Sequence, residues 1–294
     1  MKKTTIGLAL LVSGLALSLN SSAQGIYFGV GGGYGFAAGK ADFPTGSDVT
    51  STTSGAPSVT TSTYTARSYS LGKGINLGLY GGYMFNKNLG AELGIAYLIG
   101  GSSVGTSTAT GSGTGFSSSD VTTTTVKGSM MRLVPGLRMQ FGEGKMHPYA
   151  TVGIIIGVAG KATMEQQEVK SATGNPTMTT DMVQTFTGGV NLGLHSSIGV
   201  NYMISDKLGI FGEVSANLQS GKPAKSMVTT NTVNGQDEIP HMTTSQIETD
   251  YSSSYTTTSN AAASPGTPST ASTVHTPFSS IGFNIGLHIS LGGK

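Results

Sequence analysis

The residues best suited to catalysis in this chain lie in two neighbouring segments. The stretch "HSS" places His195 and Ser197 two positions apart, and Glu213 follows in the next segment. A serine, a histidine and a carboxylate are the parts of a nucleophile, its general base and the acid that orients the base. If the first segment is a strand, His195 and Ser197 share one face, because side chains alternate along a strand.

Other kinds of chemical site are not indicated. The chain has no Cys, which excludes thiolate metal sites and disulfides. Its five His residues show no metal-ligand spacing; they are at 147, 195, 241, 275 and 288. The stretch "GVGGGYG" lacks the Lys and the following helix of a phosphate-binding loop. The sequence therefore predicts no catalytic, cofactor-binding or metal residues, no cofactor, and a protein that is not an enzyme.

Six ionisable side chains share a property that does suggest a site. Each lies within a segment of alternating apolar residues, at a position on the face opposite the apolar row. They are Glu92, Arg132, Arg138, His195, Glu213 and His288. A buried charge needs a partner, so we predict an interior charge network in which Glu92 pairs with Arg138. Its role is either structural or gating.

The elements that position these residues are eight segments of alternating apolar and small or polar residues. They span 25–36, 70–85, 89–100, 131–141, 148–160, 188–204, 208–218 and 281–291. In the last one every odd position from Ile281 to Leu291 is apolar. Such alternation predicts strands with one apolar face, and each is at least as long as the roughly 9–11 residues that a tilted strand needs to cross a bilayer.

Two kinds of connector join the segments. Three are short, with the sequences "NKN", "GEGKMH" and "SDK". The others are long and rich in Ser and Thr, at about 40–66, 101–125, 162–183 and 221–275. Short turns at one end, long loops at the other and an even strand number are typical of outer-membrane barrels. The runs "VTTTTV" and "YTTTS" are prone to form strands, and a disordered loop is an equal alternative for them.

Export and composition narrow the class of protein. Residues 1–23 have two Lys, an apolar run and small residues before Gln24, which predicts a signal peptide. Without Lys2 and Lys3 the 16 basic residues become 14, against 14 acidic ones, and this balance does not suggest nucleic acid. Only 10% of residues are charged, against about 25% in ordinary soluble domains. A secreted Ser/Thr-rich β-domain remains the alternative to a membrane barrel.

Details of the predicted strands can be checked against a structure. Glycines on the interior faces either leave a narrow water path or make room for aromatic rings, those of Tyr27, Tyr80, Tyr149 and Phe211. Pro135 lies inside a predicted strand, where Pro is normally confined to edges or bulges, so we expect a bulge there. The alternation also places Leu71 and Lys73 on the outward face, with Lys73 at the outer rim of the membrane.

The segments around the short turns resemble a known family. The stretches "YMFNKNLGAELGIAY", "YMISDKLGIFGEVSANL" and "MHPYATVGIIIGVAG" resemble the outer-membrane β-barrel domain family, of the OmpA/OmpX-like type. The resemblance implies an all-β fold for residues 24–294: an eight-stranded antiparallel up-and-down transmembrane barrel with short periplasmic turns and long extracellular loops. Such barrels commonly end in an aromatic residue that the assembly machinery reads, whereas this chain ends "SLGGK".

The expected function follows from this class. We expect an integral protein of the outer membrane of a Gram-negative bacterium, with a structural or surface-binding, adhesion-like role through its extracellular loops. Its partners would be outer-membrane lipids, the barrel-assembly machinery and an unknown extracellular ligand. One alternative is a narrow porin-like channel for small solutes. Another is a lipid-modifying enzyme, because His195 and Ser197 match the His-x-Ser of outer-membrane lipid A deacylases at those two positions.

Overall fold

The computed structural model describes residues 25–42, 48–54, 59–65, 68–255 and 266–291. The predicted signal peptide, residues 1–23, lies outside this part of the chain. The described residues are almost entirely strand, with nineteen strands, a 3-10 turn at Ile239–His241 and one helix, α1, at Thr244–Ile247. The all-β prediction is confirmed, but eight is wrong as the number of strands.

Eight of the strands correspond to the eight predicted segments, and we call them the central strands. They are β1 (Gly25–Ala37), β6 (Gly74–Met84), β7 (Leu89–Gly100), β9 (Phe116–Gln140), β10 (Met146–Ala172), β12 (Val190–Met203), β13 (Leu208–Lys222) and β19 (Ser280–Ser290). Each pairs antiparallel with the next in this order. The last strand, β19, also pairs antiparallel with β1.

The additional strands lie in the connectors that were predicted to be long loops, and we call them the peripheral strands. They are β2 (Ala41–Asp42), β3 (Asp48–Ser54), β4 (Val59–Thr65), β5 (Ser68–Tyr69), β8 (Ser103–Gly113), β11 (Met178–Thr187), β14 (Lys225–Val233), β15 (Gln236–Asp237), β16 (Glu248–Ser252), β17 (Ser269–Ser272) and β18 (Thr276–Pro277). Much of these connectors therefore consists of strands rather than irregular loops. The run at 121–126, for which the sequence leaves a strand and a disordered loop as equal alternatives, lies in β9, and the run at 255–259 lies outside the described residues apart from Tyr255. The many β-branched Thr and Val residues of the connectors fit a pleated strand well.

Most of the peripheral strands extend the sheet at one end of the molecule, whereas β2 and β5 pair with each other in a separate two-stranded sheet. Strands β9 and β10 continue past their neighbours and pair with each other up to Ser118 and Ala172. On one side β8 pairs with β9, and β3 runs parallel to β8. On the other side β11 pairs with β10, and β14 pairs with β11. The short turns at 85–88, 141–145 and 204–207 lie at the opposite end of the central strands.

The two faces of the central strands differ as predicted. In β19 the odd-numbered apolar residues point outward, with Ile285 68% exposed and Leu287 45% exposed. The even-numbered His288 is only 5% exposed. Side chains of strands that are not neighbours meet inside: the rings of Tyr80 on β6 and Phe211 on β13 lie 5.5 Å apart. The even-numbered positions of β19 therefore face a shared interior.

The predicted alternation fails at the start of β6. That strand begins at Gly74, whose φ of +148° is a conformation that side-chain-bearing residues rarely adopt. Because the strand conformation begins only at Gly74, the inward–outward alternation of side chains does not extend to the residues before it. Leu71 is fully buried rather than outward-facing. Lys73 precedes the strand and donates a hydrogen bond from Nζ to the carbonyl oxygen of Ser102 at 3.0 Å.

Pro135 does not sit in a bulge. It pairs with Leu93 of β7, and on its other side the ladder to β10 is interrupted between the pairs Gly136–Gly153 and Leu133–Ile156. The register shift of this ladder lies instead between Gly157 and Ala159. Pro lacks an N–H and cannot donate a hydrogen bond to a neighbouring strand. The interruption of the ladder to β10 therefore accommodates Pro135 without the extra residue that a bulge inserts.

Candidate functional site

All six predicted site residues lie on the inward face, and their side chains are buried or half-buried. Arg132 and Arg138 are among the most deeply buried side chains, at 2% and 1% exposure. The structure does not gather the six into one site. It places Glu92, Arg138, Glu213 and His288 in one connected cluster, and it places Arg132 and His195 outside that cluster.

The cluster is built around Arg138. Its Nη1 donates to Oε2 of Glu92 at 2.8 Å, so the predicted ion pair is confirmed. The Tyr27 hydroxyl donates to the same carboxylate oxygen at 3.0 Å. The guanidinium carbon lies 3.7 Å from the centroid of the Tyr149 ring, 5.1 Å from that of Tyr27 and 5.6 Å from that of Tyr80. Aromatic faces attract a cation.

The rings matter because hydrogen bonding leaves part of the guanidinium unsatisfied. Nε and Nη2 of Arg138 have no hydrogen-bond partner within the described part of the chain. A buried cation with unsatisfied donors is costly. Three tyrosine rings against its faces offset part of that cost. Arg138 is thus held by one carboxylate and an aromatic cage, an arrangement that fixes its position in the interior.

Glu213 joins the cluster through Tyr149. The Tyr149 hydroxyl donates to Oε2 of Glu213 at 2.9 Å, and Nδ2 of Asn284 donates to Oε1 at 2.9 Å. His288 joins through Tyr80, whose hydroxyl lies 3.2 Å from Nδ1 of the imidazole. The tyrosines therefore link two carboxylates, an arginine and a histidine. Sequence reasoning named these tyrosines only as space-filling rings, and nothing in their spacing revealed the hydroxyl contacts.

The interior glycines make room for these rings. A Cβ placed on Gly29 would lie 2.0 Å from Cζ of Tyr80, and one on Gly82 would lie 2.2 Å from the Tyr27 hydroxyl. A Cβ on Gly199 would lie 2.7 Å from Cζ of Tyr149. These distances are far below a normal contact, so the space-filling interpretation of the glycines is confirmed. A cavity of about 110 Å³ lies beside them and is lined by Tyr80, Glu92, Arg138 and Glu213, among others.

Arg132 and His195 have partners of their own, and neither partner is a carboxylate. Arg132 donates from Nη2 to the carbonyl oxygen of Phe278 at 3.2 Å and from Nη1 to Oδ1 of Asn76 at 3.5 Å. Nδ1 of His195 lies 2.8 Å from Oδ1 of Asn217. Neutral amide and carbonyl oxygens are thus the partners of the Arg132 guanidinium and the His195 imidazole.

The nucleophile, base and acid arrangement is not assembled. His195 contacts Asn217, and the Glu213 carboxylate is occupied by Tyr149 and Asn284. The Ser197 hydroxyl is buried and has no hydrogen-bond partner among the described residues. A serine nucleophile needs its base within hydrogen-bond reach, so the geometry of these three residues does not support hydrolysis.

An apolar cluster, which we call the apolar plug, lies at the end of the interior nearest the peripheral strands. It consists of Leu71, Leu98, Val126, Met130, Ala162 and Phe278, each at most 7% exposed. Tyr69, Met164 and Phe186 pack against it. Leu71 and Phe278 come from connectors rather than from central strands, which is why the strand pattern did not predict the plug.

The part of the chain that the structure describes contains neither a metal site nor a helix that could span a membrane. No group of three or more His, Asp or Glu side chains there has the arrangement of a metal site. No helix among those residues is long and apolar enough to span a membrane.

Comparison with known proteins adds one finding. A search of curated proteins found no match. The family model of the outer membrane protein beta-barrel domain matches residues 7–237, which is most of the chain and includes all the central strands except β19. Together with the outward apolar rows of paired strands, this match shows that the chain belongs to the outer membrane protein beta-barrel domain family.

Proposed function

We propose that the central strands form an eight-stranded antiparallel barrel that spans the outer membrane. Two observations support this architecture. The pairing of β19 with β1 leaves no free edge among the central strands, and a sheet in lipid cannot tolerate unpaired edges. Their outward rows are apolar and exposed, with Leu79 at 57%, Ile154 at 53% and Ile198 at 67%. Soluble monomers rarely expose apolar patches of this extent.

In this architecture the short turns face the periplasm and the peripheral strands face the outside of the cell. The assignment rests on the usual layout of bacterial barrels, which have short periplasmic turns and longer extracellular connections. Both described termini, Gly25 and Leu291, lie at the short-turn end, since Gly25 pairs with Met84 and Leu291 bonds to Ile26.

We propose that the protein's role is structural or surface-binding rather than transport. The observation that carries this proposal is the paired sheet that the peripheral strands build at the outer end. Here β9 and β10 run past the other central strands to Phe116 and Ala172. They pair with β8 and β11, and β14 pairs in turn with β11. A paired sheet of this size presents a large, ordered surface outside the membrane, as a binding role requires.

The porin-like alternative is less well supported. Eight strands enclose an interior just wide enough for side chains. Here that interior holds the Arg138 cluster, and the apolar plug closes one end. The cavity beside the Arg138 cluster, of about 110 Å³, has room for a few waters.

Planar-bilayer recording separates the two roles. The protein, refolded in lipid vesicles and fused into a bilayer, should give no steady single-channel conductance. The double variant Leu71→Ala, Phe278→Ala, which shrinks the apolar plug but leaves the Arg138 cluster in place, is a control for the contribution of the plug. Steady single-channel conductance by the wild-type protein would contradict the proposal.

A further inference from the structure

A second cavity, of about 480 Å³, lies on the outer side of the apolar plug, and we call it the upper cavity. Leu71, Val126 and Ala162 of the plug form part of its wall. Aromatic and aliphatic side chains of the peripheral strands and of β10 form the rest, chiefly Tyr69, Met164, Phe186 and Tyr251. Its volume is within the range of about 300–1,000 Å³ that small-molecule sites occupy.

Several polar groups of the wall are bonded to neighbouring protein groups. Nε2 of Gln184 donates to the Ser226 hydroxyl at 2.9 Å, and that hydroxyl lies 3.1 Å from the Tyr251 hydroxyl. Nδ1 of His275 lies 3.2 Å from the Ser220 hydroxyl. With these groups tied to protein partners, the wall favours the apolar body of a ligand.

Asp42 is the exception at the mouth of the cavity. It lines the upper cavity, is exposed to solvent, and forms no hydrogen bond or ion pair through its side chain with any described residue. No Lys or Arg is among the described residues that line the cavity. The only full charge that these residues place at the wall is therefore negative, which attracts a cation and repels an anion.

We propose that the upper cavity binds an amphipathic cation: a molecule with an apolar body and a positively charged head. The body lies against Phe186, Met164 and Tyr251, and the head stays near Asp42 in contact with water. The apolar plug forms the floor, so the ligand is retained at the outer surface and does not enter the interior. This inference rests on the proposed surface-binding role and names the ligand class for it.

The absence of Trp from the chain allows a specific test. Phe186→Trp places a single fluorophore in the cavity wall, and Phe28→Trp places one on the outward face of β1, where Phe28 is 47% exposed. Both proteins, in lipid nanodiscs, are titrated with decylammonium and with decanoate. These probes share one hydrocarbon tail and differ in the charge of the head.

Decylammonium should change the tryptophan emission of the Phe186→Trp protein saturably, at concentrations at least tenfold lower than decanoate requires. The Phe28→Trp protein reports partitioning into the bilayer and should show no such saturable difference. Adding Asp42→Asn to the cavity reporter should reduce the preference for the cation to less than about threefold. Adding Met164→Lys, which places a cation in the wall, should reverse it.

Equal responses to the two probes, or equal responses of the two reporters, would overturn the inference. Heat-resistant migration in detergent gels establishes that each variant is folded. Ala162→Phe, which fills the cavity, should abolish the saturable response; if this variant does not fold, the reversed preference expected of Met164→Lys, at a half-buried position, tests separately whether the probe binds at this wall. Surface labelling, described below, tests the barrel itself, so failure of the ligand proposal is distinguishable from failure of the proposed function.

Discussion

At the scale of single residues, the interior is organised around one buried cation. Arg138 has a carboxylate at 2.8 Å and the nearest of its aromatic rings at 3.7 Å. A charge removed from water on all sides depends on such contacts for its stability. The pair therefore differs in kind from the exposed pair of Lys225 and Asp250, which are 3.5 Å apart with side chains 69% and 49% exposed.

A double-mutant cycle tests this difference. Glu92→Gln and Arg138→Met should each lower the free energy of unfolding by about 3–5 kcal/mol, because each leaves a buried partner unpaired. The double variant should cost clearly less than the sum. The same cycle with Lys225→Met and Asp250→Asn should give changes of at most about 1 kcal/mol. The measurement is urea unfolding of the refolded protein in lipid vesicles, and additive losses at Glu92 and Arg138 would show that the two groups are not coupled.

The interior glycines give a second prediction at this scale. Gly29→Ala places a methyl group 2.0 Å from Cζ of Tyr80, and overpacking of this kind costs about 1–3 kcal/mol. Gly212→Ala, on the outward face of β13, is the control, since a Cβ there has nothing within 4 Å. Thermal unfolding in detergent should separate the two variants, and Tyr80→Leu should partly rescue Gly29→Ala. If the two glycine variants are equally stable, the rings do not depend on the missing side chains.

At the scale of the element, β19 shows how alternation separates an exposed apolar face from a buried one. Its outward residues are exposed, and its inward residues bond to side chains of the neighbouring strand, as Asn284 does to Glu213 of β13 at 2.9 Å. The outward face has no protein partner in the described part of the chain, so its energetics depend on the surrounding solvent. A charge placed on this face is destabilising in hydrocarbon and tolerated in water.

Arginine substitutions along this face show whether it contacts hydrocarbon or water, through their cost in free energy of unfolding. Ile285→Arg, near the middle of the strand, should cost about 2–4 kcal/mol, whereas Leu291→Arg, at its end, should cost about 0–1 kcal/mol. The two native side chains are similarly exposed, at 68% and 60%, so local packing does not account for a difference. Urea unfolding in vesicles provides the values. Near-zero costs at both positions would mean that the face touches water.

At the scale of the whole molecule, the two ends of the central strands are different surfaces. One end carries short turns, and the other carries the peripheral sheet, the apolar plug and the upper cavity. In the proposed membrane barrel, this asymmetry would give the molecule a direction. It also places the proposed ligand site on the side away from the described termini.

Insertion of a small epitope at matched turns tests that direction. Gly174 lies in the turn between β10 and β11, and Gly144 lies in the turn between β9 and β10 at the other end. Both have positive φ, at +79° and +81°, with nothing within 4 Å of an added Cβ. An epitope at Gly174 should be labelled on intact cells, and one at Gly144 only after the outer membrane is permeabilised. The reverse pattern would contradict the proposed orientation.

The sequence by itself determined the features that depend on local periodicity. The strict alternation in β19 and its counterparts identified all eight central strands, and it placed Glu92, Arg138 and His288 on the inward face. The pairing of Glu92 with Arg138 also followed, because a buried charge needs a partner and the two occupy neighbouring predicted strands. These inferences needed only the two-residue period of a strand.

Only the tertiary structure decided how the interior is filled and what lies above it. The burial of Leu71, the contact of Tyr149 with both Arg138 and Glu213, and the upper cavity all join residues far apart in the chain. The connectors that the sequence assigned to loops became paired strands, because β-branched residues favour strands only where a partner edge is present. The two-residue period of a strand specifies which face a side chain occupies, whereas the pairing of the strands determines which side chains meet in the interior.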